Sequence, residues 1–170
     1  MNWLQQNYQL VTAFSAVFIS LVSLMVAVLT LRAQKKHNKL SVKPVAHISK
    51  GDYEDKIFVR LKNYGNGPMF IDSFTVQNER GEFKKLIESF GDVATEIMWD
   101  TFSDTLDGRV LAPDKEFTLI ECSFDDEATD DVKAEIRSYL ASTTLVLDYK
   151  CTYGVKQARL LEKLDWFSRH

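Results

Sequence analysis

From Met1 through Leu31 the chain carries no Asp, Glu, Lys or Arg, and Leu10–Leu31 is a largely apolar run of 22 residues. At a rise of ~1.5 Å per residue a helix of that length covers ~33 Å, enough for the ~30 Å hydrocarbon core of a bilayer. A simple soluble protein is ruled out. The competing reading is a secretory signal peptide, which needs a basic leading segment, a shorter apolar core and a small-residue cleavage site. Met1–Gln9 holds no Lys or Arg, and the run is too long. The sequence therefore predicts a retained membrane span at 10–31.

Orientation follows from the flank. Arg32, Lys35, Lys36, Lys39 and Lys43 crowd the residues after the span, and the first acid is Asp52. Lys and Arg close to a span end are retained on the cytoplasmic side. This predicts residues 1–9 outside, a basic neck at 32–43, and a cytoplasmic domain at 44–170. Trp3 and Tyr8 suit the outer interface, where amphipathic rings favour the headgroup region. The five neck charges also suit anionic lipid headgroups, at ~1 kcal/mol each near the surface. Their alternative role is a topology signal only.

The span has an internal pattern. Ala13, Ala16, Ser20, Ser23, Ala27 and Thr30 follow a heptad-like 3-4 spacing along one face. In residues 10–31 the small or hydroxylated residues off this stripe are Thr12 and Ser15. Small residues let helix backbones approach closely in lipid, and hydroxyls can bond across the contact. The stripe reads as a helix-packing seam, for a second copy or for another protein's membrane helix. The bland alternative is that Ala and Ser are tolerated anywhere in such a helix.

The part after the neck is acidic. Of 21 basic residues five lie in Arg32–Lys43, leaving 16 against 24 acids, a net charge of −8. Nucleic-acid binding, which depends on a basic surface, is disfavoured. The same acidity is expected to keep the domain off an anionic leaflet while the neck adheres to it.

Within 44–170 the apolar alternation of Lys56–Lys62 predicts a half-buried strand. A turn follows at Asn63-Tyr64-Gly65-Asn66-Gly67-Pro68, whose glycines are expected to supply positive φ. Further strands are expected at Met69–Asn78, up to Val110-Leu111, at Glu116–Phe124 and at Thr143–Tyr153. Gly154 breaks the last, and Val155–Leu161 is the expected hairpin partner. Glu79–Glu82 reads as a turn. A short helix is expected near Lys84–Phe90, and another where Val132, Ile136, Tyr139 and Leu140 share one face. Several short strands with an inserted helix predict a mainly-β domain, a β-sandwich with Greek-key pairing.

Two places carry a resemblance. The turn marked by Asn63, Gly65, Gly67 and Pro68 resembles the N-x-G-x-G-P turn of immunoglobulin-like sandwich domains in single-pass bacterial inner-membrane proteins. Leu147-Asp148-Tyr149-Lys150-Cys151-Thr152-Tyr153-Gly154 is similar to the closing strand and Tyr-Gly hairpin of such domains. The resemblance spans roughly 42–161 and implies a fold and a cytoplasmic placement, with no catalytic residues. Some proteins of this kind are accessory components of stress or phage-response systems. The acidic stretch Asp125–Asp131 departs from a minimal sandwich.

Chemistry-bearing patterns are sparse. His37, His47 and His170 are scattered, with no H-E-x-x-H, paired helical His or Cys-x-x-Cys. No phosphate-cradling loop or nucleophile elbow occurs. Cys122 and Cys151 fall inside apolar strands and read as buried thiols. Asp100, Asp104, Asp107 and Asp114 cluster in sequence, as do Asp125, Asp126, Glu127, Asp130 and Asp131, but neither set has a calcium-loop spacing. Met98-Trp99 and Trp166-Phe167 are core or hairpin packing, or protein-contact anchors if exposed. Trp166 and Phe167 are the better candidates.

The expected function is a non-enzymatic, membrane-anchored protein-binding module without cofactor or metal. Its expected partners are membrane lipid and a protein or second copy met through the helix. The alternative is a sensor or regulatory subunit controlling a partner effector. A hydrolase built on the Asp clusters ranks last.

Overall fold

In the computed structural model, residues 7–95, 97–124 and 130–169 are described. Contacts divide the chain into two units, Met1–Ser41 and Val42–His170. Among its described residues the first is one helix, α1 (Tyr8–Ser41). Its 34 residues rise about 51 Å. It is long and apolar enough to cross a membrane. The helix runs on past the apolar stretch, so Arg32–Ser41 is helical too. The reason is local: Arg, Gln, Lys and Leu are strong helix formers, and Pro44 is the first breaker. Arg32, Lys35, Lys36 and Lys39 thereby share one face, at i, i+3, i+4 and i+7. Lys43 lies beyond the helix end.

The second unit is mainly β, with every strand pair antiparallel. One sheet holds β1 (Ala46–Asp52), β2 (Lys56–Asn63), β5 (Thr101–Phe102) and β7 (Glu116–Ser123). Their order is β1-β2-β7-β5. The other holds β3 (Met69–Asn78), β4 (Gly81–Phe83), β8 (Thr144–Lys150) and β9 (Leu160–Lys163), in the order β4-β3-β8-β9. A short β6 (Val110–Leu111) pairs with the start of β3.

Alternation puts Ile57, Val59 and Leu61 of β2 into the same core cluster as Leu145, Leu147 and Tyr149 of β8. On β3 both Ile71 and Phe74 are buried although three apart. A bulge between Ile71 and Ser73 inserts the extra residue that resets the phase. Helix α2 (Asp130–Ala141) adds Ile136 and Leu140, and a 3-10 turn at Asp165–Arg169 adds Phe167.

The edge strand β1 carries two inward charges. Ile48 faces Leu61 in the core, so Lys50 and Asp52 point to the same side of the sheet. Lys50 pairs with Glu162 of β9, and Asp52 receives both Nε (2.8 Å) and Nη2 (2.9 Å) of Arg137 from α2.

Three expectations are corrected. Residues Ile87–Thr95 form 3-10 turns broken at Gly91, in place of a helix at 84–90. The Glu79–Glu82 turn is tighter, because β4 already begins at Gly81. The partner of β8 is Leu160–Lys163, later than Val155–Leu161. The Gly154 N–H closes a tight turn onto the Cys151 carbonyl (2.9 Å), and a lone Lys150–Lys156 bridge follows before the regular ladder resumes. The acids Asp125, Asp126 and Glu127 lie outside the described residues.

Candidate functional site

Asn63 ends β2 and is fully buried. Its Oδ1 accepts from the N–H groups of Val45 (3.2 Å) and Gly65 (3.0 Å). Its Nδ2 donates to the carbonyls of Gly67 (2.8 Å) and Leu111 (3.2 Å). A buried amide has four such capacities, and here each is used. The backbone is held as well: Asn63 N–H donates to the Lys115 carbonyl (3.1 Å), and Asp114 N–H to the Asn63 carbonyl (3.0 Å). One side chain thus fastens three separate segments, 45, 65–67 and 111.

The glycines of this turn do a different job from the one expected of them. Neither Gly65 nor Gly67 has positive φ. Each lets another segment pass at backbone contact. A Cβ on Gly65 would stand 2.3 Å from the Lys43 carbonyl oxygen, and one on Gly67 1.9 Å from that of Val42. The Tyr64 N–H also donates to the Val45 carbonyl (2.8 Å). The turn is therefore a clasp on residues 42–45, and Pro68 ends it where β3 begins. On the surface beside it, the Tyr64 ring lies 5.4 Å from the His47 ring and 4.6 Å from the Lys62 ammonium.

Along α1, Ala13, Ala16, Ser20, Ser23, Ala27 and Thr30 are all exposed. Their hydroxyls are already committed as donors. Ser20 bonds the Ala16 carbonyl, Ser23 that of Ile19 and Thr30 that of Val26, each at 2.8 Å. What the stripe offers a neighbour is close approach and acceptor lone pairs.

Trp166 and Phe167 do not form an exposed pair. Phe167 is fully buried, and Trp166 is half-buried with its ring edge-on to Phe167 at 5.0 Å. Phe167 is core because Leu164 and the 3-10 turn close over the domain end. Its proposed role as a contact anchor is withdrawn. Met98, by contrast, is 88% exposed, while Trp99 packs on Phe90 at 5.1 Å.

The acids near 100–114 are not brought to one place. Asp104 bonds Lys85 (2.7 Å), which holds its carboxyl below the usual range. Burial opposes ionisation of Asp107, but Lys84 (2.9 Å) and the Phe74 N–H (2.7 Å) outweigh it and keep that carboxyl low as well. Asp114 sits in a turn with φ 53°. Arg159 forks onto Asp148 at 2.8 Å and lowers its pKa in the same way. These pairings suit structural carboxylates.

Among the described residues no group of three or more His, Cys, Asp or Glu could hold a metal ion. Cys122 and Cys151 are free and buried. Burial, with Asp100 nearby, pushes the Cys122 thiol up to about 11. A groove between α2 and the C-terminal turn is lined by Ala134, Ser138, Ala141, Phe167 and Arg137, whose guanidinium is held by Asp52.

Sequence reasoning found Asn63 but not its partner Leu111, and it passed over Tyr64 and the Asp52–Arg137 pair. No protein-family model matches the chain, and no curated protein matches it either.

Proposed function

We propose that this chain is a single-pass bacterial inner-membrane protein, N-terminus outside, presenting an immunoglobulin-like domain to the cytoplasm as a non-enzymatic protein-binding module. The observation that carries this reading is α1 itself. A charge-free run long enough for a bilayer continues without a break into a helical face bearing Arg32, Lys35, Lys36 and Lys39. That basic face meets anionic headgroups, and the stripe Ala13–Thr30 on the apolar part meets a second copy or a partner's helix.

The strand order supports the fold assignment. The order β1-β2-β7-β5 opposite β4-β3-β8-β9 corresponds to the A-B-E-D and C′-C-F-G arrangement of immunoglobulin-like sandwiches. The usual inter-sheet disulfide is replaced by apolar packing, since both cysteines are free thiols.

Topology is tested by introducing cysteines at Asn2 and after His170 and labelling intact cells with an impermeant reagent. The expected result is reaction at position 2 from outside, and at the C-terminal site only after the cells are opened. A C-terminal site reached from outside in intact cells would refute the cytoplasmic placement.

A further inference from the structure

The acidity of the domain is unevenly placed, and the pairing register shows how. The end of β2 adjoins the start of β7 through the Asn63–Lys115 hydrogen bond, and the end of β8 adjoins the start of β3 through the Phe70–Lys150 pair. The turn 64–68 joins β2 to β3 across the two sheets. Segments 42–45, 64–68, 109–115 and 151–158 therefore crowd one end of the domain, the end at which the chain arrives from Ser41.

These segments hold four bases, Lys43, Arg109, Lys115 and Lys156, against one acid, Asp114. All four bases are exposed and, among the described residues, make no ion pair. Two tyrosines stand among them half in solvent, Tyr64 at 53% and Tyr153 at 51% exposure. Val45, Val110 and Val155 are each 47% exposed at the same end. The other end has the opposite sign. Its turns carry Glu54, Asp55 and Glu79 against Arg80.

We infer that this loop end is a docking surface for anionic lipid headgroups. Unpaired bases are drawn to a negative leaflet, and tyrosine and valine tips gain from the headgroup boundary. The acidic far end is pushed off the same surface, so the domain's own charge distribution orients it. The occupant is argued from charge complementarity. A net charge of −8 had suggested that the whole domain avoids such a surface; its distribution reverses that for one end. The inference rests on the membrane-anchored reading above.

The test uses the full chain in lipid nanodiscs, one set of phosphatidylcholine and one containing phosphatidylglycerol. Lysine acylation rates are read residue by residue by mass spectrometry. Lys43, Lys115 and Lys156 are expected to react about threefold or more slowly in the anionic discs, given the strength of basic residues' attraction to such a surface. Lys163, exposed at the far end of β9, is expected to react equally in both. In the variant K115E/K156E, the slowing at Lys43 is expected to disappear. Equal rates in both discs would overturn the inference, and so would equal slowing in neutral discs, which would point to a second copy covering this end. A chain that does not enter either disc would refute the membrane-anchored reading, and the inference with it.

Discussion

A single residue, Asn63, holds more of this domain together than its place in a turn suggests. Replacing it with Ala removes two donors and two acceptors, leaving the N–H groups of Val45 and Gly65 and the carbonyls of Gly67 and Leu111 without this partner. Unsatisfied buried groups cost about 1–3 kcal/mol each, partly recovered by relaxation, so Asn63→Ala is expected to lose about 3–4 kcal/mol. Denaturant unfolding in mild detergent, followed by tryptophan fluorescence, measures it. The motif was legible in the sequence, but its purpose was not. Asn, Gly and Pro announce a turn through local chemistry, whereas the bond to Leu111 joins residues 48 apart. The glycines likewise announced freedom of φ, when the requirement came from a chain segment passing at van der Waals contact. Asp107 supplies a pH dependence. Its folded-state pKa is depressed, so its contribution is present above the unfolded value, ~3.9, and is lost as pH falls through the folded one. Asp107→Asn is expected to lower the melting temperature at neutral pH and to flatten its fall below about pH 4. A fall as steep as the parent's would mean that Asp107 does not contribute.

At the scale of elements, the strands were the most readable. Period-2 alternation is enforced by burial on one face, so Lys56–Asn63 and Met69–Asn78 emerge from the sequence nearly to the residue. Less legible were Ile87–Thr95 and the chain between β8 and β9. There the conformation is set by partners elsewhere: Arg80 reaching the Phe90 carbonyl (2.7 Å), Asn78 reaching that of Ser89 (3.2 Å), and Arg159 forking onto Asp148. The continuation of α1 through the neck could have been inferred from the helix formers in 32–41. For the stripe on α1, the intrahelical bonds of Ser20 and Ser23 sharpen what is expected. Their donors are used, so close backbone approach carries the proposed seam. S20A/S23A is expected to keep assembly within about twofold and S20L/S23L to lose it, whereas T12L/S15L, off the stripe, keeps it. Cross-linking in native membranes compares the three. Equal loss in both leucine variants would reduce the stripe to composition.

For the molecule as a whole, the averages conceal two separations of charge. One is along the chain: a neutral segment through Leu31, then five bases, then a domain of net −8. The other lies within the domain, where the loops at the chain's arrival are basic and the turns at the opposite end acidic. The first was plain in the sequence because it is linear. The second was hidden, because Lys43, Arg109, Lys115 and Lys156 are brought to one end only by the pairing of β2, β3, β7 and β8.

The inward charges of β1 bear on crowding. Proteins confined to a membrane plane meet one another at raised effective concentration. A seven-residue edge strand such as β1 is, for a chain anchored as proposed, an open template for strand addition between neighbours. Lys50 and Asp52 defend it. A copy that added itself there would set its own side chains beside two charges already matched to Glu162 and Arg137, and any shift of β1 to receive it would strip those partners away. The edge is thereby guarded against strand addition by a second copy.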